Sequence, residues 1–316
     1  MTELRTLLLR WLACLALPLA GLACDSEPPS VSNDFDGQRA FADLRDQVAL
    51  GPRPMGSEAS VRTRELITRR LRQAGWPTRE IPFSAVGPSG EPVSGVNLIA
   101  TLQGERPQRI WLGAHYDTKD IPGVRFVGAN DGASGVALLL ETARVLARRE
   151  NPVTYELVFF DGEEAIGRNI TQRDGLFGSR ALAKSMAAAG ELDGIVAFVL
   201  VDMVADRDLN LTPDRGSARW LQEALDAAAA EQDPELFDRS ASLFLVDDHT
   251  PFRDAGLADV LALIDFQFGA RVMPGPSWHT SADDLESVSA ESLNRVGKLL
   301  VQALGAIERR AISDQP

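Results

Sequence analysis

Short apolar runs without polar alternation recur along this chain, separated by stretches with helical periodicity. Five runs are predicted to be strands, at residues 96–102, 109–114, 154–160, 195–203 and 260–266. A strand that alternates apolar and polar residues has one face in water, whereas an uninterrupted apolar run indicates a strand covered on both faces. Parallel strands need long crossover connections, usually helices, which cover the sheet in this way. The sequence therefore predicts an α/β domain with a mainly parallel sheet.

The helical stretches complete this architecture. Four of them are predicted at residues 134–149, 179–189, 218–230 and 290–309. Two more precede the sheet: an amphipathic helix around Phe41, and a helix that Ser57 caps and that ends at Gln73. A chain of 316 residues with 45% apolar content can bury one sizeable core. We expect a single domain at residues 35–310.

The first part of the chain, residues 1–24, differs from this domain. Its apolar run at residues 11–23 is too short to span a bilayer and has the length of a signal-peptide core. The run ends in LAGLAC, where the chain resembles a bacterial lipoprotein, in which the cysteine of such a box (Cys24 here) is lipidated. We expect an exported protein with a flexible linker at residues 25–34 and a lipid anchor in the cell envelope. Simple secretion after cleavage near Ala23 is the alternative.

Cysteine and charge counts exclude several classes of function. Cys14 and Cys24 are the only cysteines and both lie in the leader, so the domain has no thiol nucleophile, disulfide or cysteine-bound metal. Lys and Arg total 32 against 45 Asp and Glu, which gives a net charge of −13. Nucleic-acid binding needs clustered positive charge, so we expect no nucleic-acid partner.

Polar residues follow the predicted strands. They are His115 in HYD, Asp131 in GANDGASG, Glu163 and Glu164 in DGEE, Asp202 in LVDM, and His279 in WHTSADD. Open α/β sheets form their sites at the carboxyl ends of strands. A catalytic zinc takes three imidazole or carboxylate ligands and keeps one position open. Asp131, Glu164 and His279 could supply these ligands, with Glu163 as the neighbouring general base.

Several of these residues also have a structural interpretation. Asp131 could cap the helix that follows it, and the DGEE run could be a solvated turn. Asp247, in VDDHTPF, could be a turn carboxylate ahead of Pro251, and His249 could stabilise that loop by hydrogen bonds. Asp202 resists such an explanation, because a carboxylate in an apolar run is costly unless it is paired, hydrogen-bonded or metal-bound.

Taken in order, the motifs HYDTK, FVGANDGASG, FFDGEEA, DGLFGSR, LVDM, DDHTPF and PSWHTSADD resemble the zinc aminopeptidase family that includes the glutaminyl-peptide cyclotransferases. The resemblance implies a zinc-dependent peptidase or cyclase domain at residues 35–310, folded as a three-layer α/β/α sandwich around a mixed sheet. The residues that match the zinc ligands of this family are Asp131, Glu164 and His279. Glu163 matches the catalytic acid/base.

The resemblance also implies roles for the remaining polar residues. His115 and Asp202 match the second-metal ligands of two-zinc aminopeptidases, with Asp131 as the bridge, and Asp117 matches a carboxylate that supports His115. In the cyclases, the residues that match Asp202 and Asp247 instead hydrogen-bond near the substrate. We expect one zinc, while the ligands for a second are present.

The choice of reaction depends on which branch the chain resembles more closely. The HYDTK, RFVGAND, DGLFGSR and PSWHT stretches favour a zinc-dependent glutaminyl-peptide cyclotransferase, which closes the N-terminal Gln of peptides or proteins with release of ammonia. Trp278 is the aromatic candidate for stacking on the substrate, or it packs the loop. GANDGASG is more typical of the aminopeptidases, and residues 166–174 lack a tryptophan that the cyclases carry. A zinc aminopeptidase is therefore the alternative, and a binding protein on an enzyme scaffold is a second one.

Overall fold

A mixed sheet of six strands forms the centre of the computed structural model, which describes residues 34–313. The predicted signal peptide, and the predicted linker up to residue 33, lie outside the described residues. The strands are β1 (Thr78–Val86), β2 (Pro92–Leu102), β3 (Arg109–His115), β4 (Thr154–Phe160), β5 (Ile195–Asp202) and β6 (Val260–Ile264). Their order in the sheet is β1-β2-β4-β3-β5-β6.

Strand direction divides the sheet into two parts. The strands β4, β3, β5 and β6 are parallel neighbours, so their carboxyl ends lie at one edge. The strands β1 and β2 form an antiparallel hairpin at the other side, and β2 is also antiparallel to β4. The predicted mixed, mainly parallel sheet is confirmed. Residues that follow different strands can lie close together at the carboxyl edge of its parallel half.

Helices cover both faces of the sheet. They are α1 (Gly37–Val48), α2 (Glu58–Gln73), α3 (Ala133–Leu146), α4 (Phe177–Ala189), α5 (Arg219–Gln232), α6 (Thr250–Asp254) and α7 (Ala290–Ser313), with a 3₁₀ turn at Leu192–Gly194. Side chains of α1, α2, α3, α5 and α7 share one buried cluster with one face of the strands. Side chains of α4 and α6 share a second cluster with the opposite face. The fold is the expected three-layer α/β/α sandwich, and none of the described helices is long and apolar enough to cross a membrane.

Each strand divides its side chains between these two clusters. In β3, Ile110 and Leu112 pack into the cluster that contains α3, whereas Trp111 packs against α4 and α6. Trp111 lies edge-on to Phe252 of α6, with ring centroids 5.5 Å apart. This alternation between two buried faces is why the strand sequences are apolar throughout.

Local backbone features shift three of the predicted boundaries. The α3 helix ends at Leu146, three residues early, where the Asn151 amide donates to the Leu146 carbonyl. The β5 strand ends at Asp202 because Met203 takes a left-handed backbone conformation, with φ of 46°. The β6 strand ends at Ile264, and the next residue, Asp265, accepts hydrogen bonds from two backbone amides that turn the chain.

Candidate active site

The predicted site residues come together at the carboxyl edge of the parallel strands. His115 ends β3, Glu163 and Glu164 follow β4, and Asp202 ends β5. Asp131 lies in the loop that leads into α3, and His279 lies in the loop between β6 and α7. Four parallel strands thus deliver side chains to one place, although these residues are far apart in the sequence.

Three of these side chains converge closely enough to share one ion. The Nε2 atom of His279 lies 3.4 Å from Oδ2 of Asp131 and 3.2 Å from Oε2 of Glu164. One ligand atom from each residue lies within 4.8 Å of the others. Tetrahedral zinc bonds of about 2.0–2.1 Å imply ligand separations of roughly 3.3 Å, which matches both distances. The buried Oε1 atom of Glu164 has no hydrogen-bond partner among the described residues, which fits an oxygen that would coordinate a cation.

The pKa shifts at this cluster also indicate a site for a cation. Burial and the charge of Asp131 raise the pKa of Glu164 above its usual value. Burial lowers the pKa of His279, but hydrogen bonds to Asp131 and Glu164 outweigh this effect and raise it to about 9. Two buried carboxylates thus depend on a positive partner, and the donor set of one imidazole and two carboxylates fits zinc.

A second cluster shares Asp131 with the first. The Nε2 atom of His115 lies 3.2 Å from Oδ1 of Asp131 and 3.2 Å from Oδ1 of Asp202. Asp131 therefore presents one oxygen to each cluster, as a bridging ligand would. It is not the cap of α3, because the N-cap residue is Gly132 and no side chain bonds to that helix end.

Asp117 holds His115 and the paired glutamates in place. Its Oδ1 atom lies 3.5 Å from Nδ1 of His115, on the side of the ring away from the second cluster. The same carboxylate accepts hydrogen bonds from the backbone amides of Glu163, at 3.1 Å, and Glu164, at 3.3 Å. One buried side chain thus fixes the end of β3 relative to the loop after β4.

Glu163 differs from its neighbour in having no direct partner. Its side chain is buried, so the DGEE run is not a solvated turn, yet its carboxylate makes no hydrogen bond or ion pair with the described residues. Burial and the charges of Asp247 and Glu164 raise its pKa well above the usual value for a glutamate. A raised pKa makes the carboxylate a stronger proton acceptor than an ordinary glutamate, which suits a group that takes up a proton and returns it.

Glu163 and Asp247 line the same cavity, which has a volume of about 310 Å³. Asp131, Glu164, His279, Asp202 and Trp278 line it as well. Asp247 also accepts a hydrogen bond from the backbone amide of Asp248, at 2.6 Å, so it is a turn carboxylate and a cavity residue at once. Burial and the charge of Asp202 raise the pKa of Asp247 well above its usual value.

Aromatic rings fix the orientation of His279. Trp278 stacks on its imidazole, with centroids 3.8 Å apart and an angle of 23°, and Phe126 meets it edge-on at 5.6 Å. Trp278 also meets Phe266 edge-on at 5.3 Å. Trp278 therefore packs the loop, and it also lines the cavity, while stacking on the substrate stays a prediction.

Two buried residues for which the sequence predicts no role hold the backbone of the Asp131 loop. Asp283 accepts hydrogen bonds from the backbone amides of Asn130, at 2.6 Å, and Asp131, at 3.0 Å. Burial and the charge of Asp131 raise the pKa of Asp283 to about 8. Arg53, in the loop between α1 and α2, donates to the carbonyls of Val127, at 2.6 Å, and Gly128, at 3.0 Å.

Two further polar residues lie near the cavity. Lys119, from the HYDTK motif, lies 3.6 Å from Glu164 and donates to the Ala165 carbonyl. His249 is fully buried, 3.6 Å from Asp214, but neither ring nitrogen makes a hydrogen bond. The expected hydrogen bonds from His249 to its loop are absent from the described residues, and its role is packing beside a carboxylate.

Comparison with known proteins places this geometry in a family. The profile of Peptidase family M28 matches residues 97–304. A glutaminyl-peptide cyclotransferase of Drosophila melanogaster is 29% identical over 79% of this chain and 76% of its own length. A glutaminyl-peptide cyclotransferase-like protein of Mus musculus is 30% identical over 90% of this chain and 80% of its own length.

Solved structures agree with the sequence relatives. A glutaminyl cyclase from an Acidobacteriales bacterium superposes with a TM-score of 0.81 and 35% identity, over 87% of this chain and 96% of that one. A Zn-dependent exopeptidase from Parabacteroides distasonis shares the fold, with a TM-score of 0.76 and 23% identity over 85% and 97% of the two chains. The chain is therefore an enzyme of Peptidase family M28.

Proposed function

We propose that this enzyme is a zinc-dependent glutaminyl-peptide cyclotransferase, which closes the N-terminal Gln of peptides or proteins and releases ammonia. The observation that carries the proposal is the pairing of Glu163 with Asp247 in one cavity beside the Asp131, Glu164 and His279 cluster. The names of the sequence relatives and of the 35%-identical structure support the same reaction.

The side chains of the cavity account for the steps of this reaction. Asp131, Glu164 and His279 would hold zinc, and the bound ion would act as a Lewis acid that polarises the γ-carbonyl of the substrate Gln. Glu163 takes a proton from the α-amine as the new C–N bond forms, and returns a proton to the nitrogen that departs as ammonia. Asp247 and Asp202 accept hydrogen bonds from the substrate amine and amide. The nucleophile belongs to the substrate itself, so a cavity that folds the Gln side chain toward its own amine supplies much of the rate.

A zinc aminopeptidase is the second candidate, and the second cluster favours it. His115, Asp131 and Asp202 supply a complete donor set for another ion, with Asp131 shared. In that reaction Glu163 would take a proton from water rather than from the substrate amine. The two candidates thus assign one chemical role to Glu163 and differ in the nucleophile.

Mass spectrometry of a Gln-initiated peptide after incubation with the zinc-loaded enzyme separates the candidates. Loss of ammonia alone supports the cyclase, whereas loss of the first residue supports the aminopeptidase. The control is the same peptide with an acetylated α-amine, which should stay unchanged in either case. Bound zinc without turnover of any N-terminal peptide substrate would contradict both and would favour a binding protein.

We also propose that the protein is exported and carries lipid at Cys24. The LAGLAC box followed by a polar, Pro-rich stretch supports this proposal. Several acyl chains on one residue would anchor the domain stably, because a single chain binds membranes only marginally. The test is detergent partition of the wild type and of Cys24→Ser. The wild type should enter the detergent phase and the variant should not; recovery of both in the aqueous phase would leave simple secretion.

A further inference from the structure

An open groove of about 690 Å³ adjoins the active-site cavity. Helices α4 and α6 and the loop at residues 170–172 form its walls. Three residues, Ile170, Phe244 and Val246, line both the groove and the cavity. The two spaces therefore share one wall, and a peptide chain that leaves the cavity across this wall enters the groove.

The groove is basic, unlike the protein as a whole. Arg180, Lys184 and Arg253 line it, against the single carboxylate of Asp254. The whole chain has a net charge of −13, and the adjoining cavity is lined by five carboxylates against two Lys or Arg side chains and one histidine. The sign of the local charge thus reverses between the cavity and the groove.

The three cationic side chains differ in the contacts that they make within the protein, and so in their availability to a ligand. Arg180 donates to the carbonyls of Thr171 and Gln172, so it holds the wall of the groove. Arg253 lies over the ring of Phe244, 5.0 Å from its centroid, and its other contacts, with Gly216 and Asp254, are long. Lys184 is exposed and has no hydrogen bond or ion pair with the described residues. Lys184 and Arg253 are therefore the charges that the groove presents.

The wall between the two spaces carries exposed apolar side chains. Phe244 is 58% exposed and Val246 is 46% exposed. Large apolar side chains that are exposed together beside a cleft are typical of ligand-binding surfaces. An extended peptide advances about 3.3 Å per residue, so several residues behind a bound N-terminus must lie on the surface next to the cavity mouth.

We propose that this basic groove binds the downstream part of the substrate and selects peptides with Asp or Glu after their first two residues. The inference rests on the proposed function, because it takes the cavity as the site of the N-terminal residue. The substrate amine contacts the carboxylates of the cavity, and acidic side chains farther along the peptide pair with Lys184 and Arg253. The peptide backbone between them lies on the apolar wall. The charge reversal then fixes both the direction and the register of the bound peptide.

Steady-state kinetics on matched peptides tests this inference. Each peptide begins with Gln and differs only in carrying Glu, Gln or Lys at one downstream position. We expect kcat/KM to be about two- to fivefold higher for the Glu peptide than for the neutral one, which is the range of an exposed ion pair, with the change mainly in KM. The preference should weaken as salt is raised, because exposed charges are screened. A Gln dipeptide amide, too short to reach the groove, serves as the reference substrate.

Variants identify the residues responsible. Lys184→Glu should reverse the preference in favour of the Lys peptide, Lys184→Arg should keep it, and Arg253→Gln should reduce it. Arg309→Gln removes an exposed charge from α7, on the opposite face of the sheet, and should change nothing. The Lys184 variants and Arg309→Gln should leave turnover of the dipeptide amide unchanged.

The outcomes separate the two proposals. Turnover of the dipeptide amide with equal kcat/KM for the three longer peptides would overturn the groove alone. A preference for Glu that persists unchanged in Lys184→Glu and Arg253→Gln would also overturn it. Failure of the wild type to turn over the dipeptide amide at all would refute the proposed function, and the groove inference with it.

Discussion

Replacing Glu163 with glutamine separates proton transfer from every other property of the site. The substitution keeps the shape of the side chain and removes its charge. The carboxylate makes no hydrogen bond or ion pair with the described residues, and it lies outside the ligand cluster of Asp131, Glu164 and His279. We therefore expect Glu163→Gln to retain zinc and a nearly unchanged KM. Groups that transfer protons typically contribute about 10²–10⁴-fold, so turnover should fall by that factor, which is about 3–5 kcal/mol of activation free energy.

The structure also predicts the effect of this variant on stability. Burial and nearby carboxylates raise the pKa of Glu163 in the folded state. A raised folded-state pKa means that the folded protein binds the proton more tightly than the unfolded chain does. Stability of the wild type is therefore lost as pH rises from the ordinary glutamate pKa toward the raised one. Metal-free Glu163→Gln should have a Tm equal to or above that of the metal-free wild type, with an advantage that grows over this pH range.

Glu164→Gln is the matched control for this prediction. It removes charge from an oxygen 3.2 Å from His279 and from the ion pair with Lys119, so zinc affinity and turnover should fall together. The measurements are zinc content after dialysis, kcat and KM on one Gln-initiated peptide, and Tm with and without chelator. Loss of zinc from Glu163→Gln with retention in Glu164→Gln would show that the two roles are reversed. Near-normal turnover in Glu163→Gln would refute the mechanism itself.

Three further predictions concern the metal count and the residues around the site. Dialysed enzyme should hold one zinc, and metal analysis that finds two, one of them lost in His115→Ala, would favour the aminopeptidase. Asp117→Ala should lower zinc affinity or turnover about 10–100-fold, because its carboxylate holds the backbone amides of Glu163 and of the zinc ligand Glu164; Asp120→Ala, at an exposed neighbour, should match the wild type in the same assays. Arg53→Met should lower the free energy of unfolding by about 1–3 kcal/mol in urea, because it leaves buried backbone carbonyls without a donor. The exposed Arg72→Met should have little effect, and equal stability of the two variants would contradict this role.

The central strands were predictable because their environment determines their composition. The strand β4 was predicted at residues 154–160 and is observed at those bounds, since both of its faces are buried and each residue must be compatible with an apolar layer. Strand ends were less predictable. Met203 continues the apolar run of β5, yet the chain leaves the sheet there through a left-handed residue, and an apolar pattern contains no signal for that turn.

The convergence of the site residues was also accessible from sequence. His115, Glu164 and Asp202 each follow or end a strand predicted to be parallel, and parallel strands place their carboxyl ends at one edge. The role of Asp131 could not be decided in this way. An aspartate before a helix satisfies the capping rule as well as a ligand role. The structure separates the two, because Gly132 is the N-cap residue and His115 and His279 lie on either side of the Asp131 carboxylate.

The supporting residues could not be predicted, because their partners are distant in the chain. Asp283 bonds to amides 152 and 153 residues away, and Arg53 bonds to carbonyls 74 and 75 residues away. Neither position belongs to a periodic pattern, and each sits in a loop where Arg and Asp are ordinary. Their function follows from the burial of the Asp131 loop, because buried backbone amides and carbonyls need hydrogen-bond partners. The sequence does not show that this loop is buried.

The net charge of the chain likewise does not predict where a charged ligand binds. A total of −13 predicts weak interaction with anionic partners over the whole surface, but binding depends on the local potential within about a Debye length of the ligand, roughly 8–10 Å. Lys184 and Arg253 line the groove, while the carboxylates line the neighbouring cavity, which shares the wall of Phe244 and Val246 with the groove. A peptide with a positive N-terminus and acidic downstream residues is complementary to this arrangement, and a peptide of uniform charge of either sign is not.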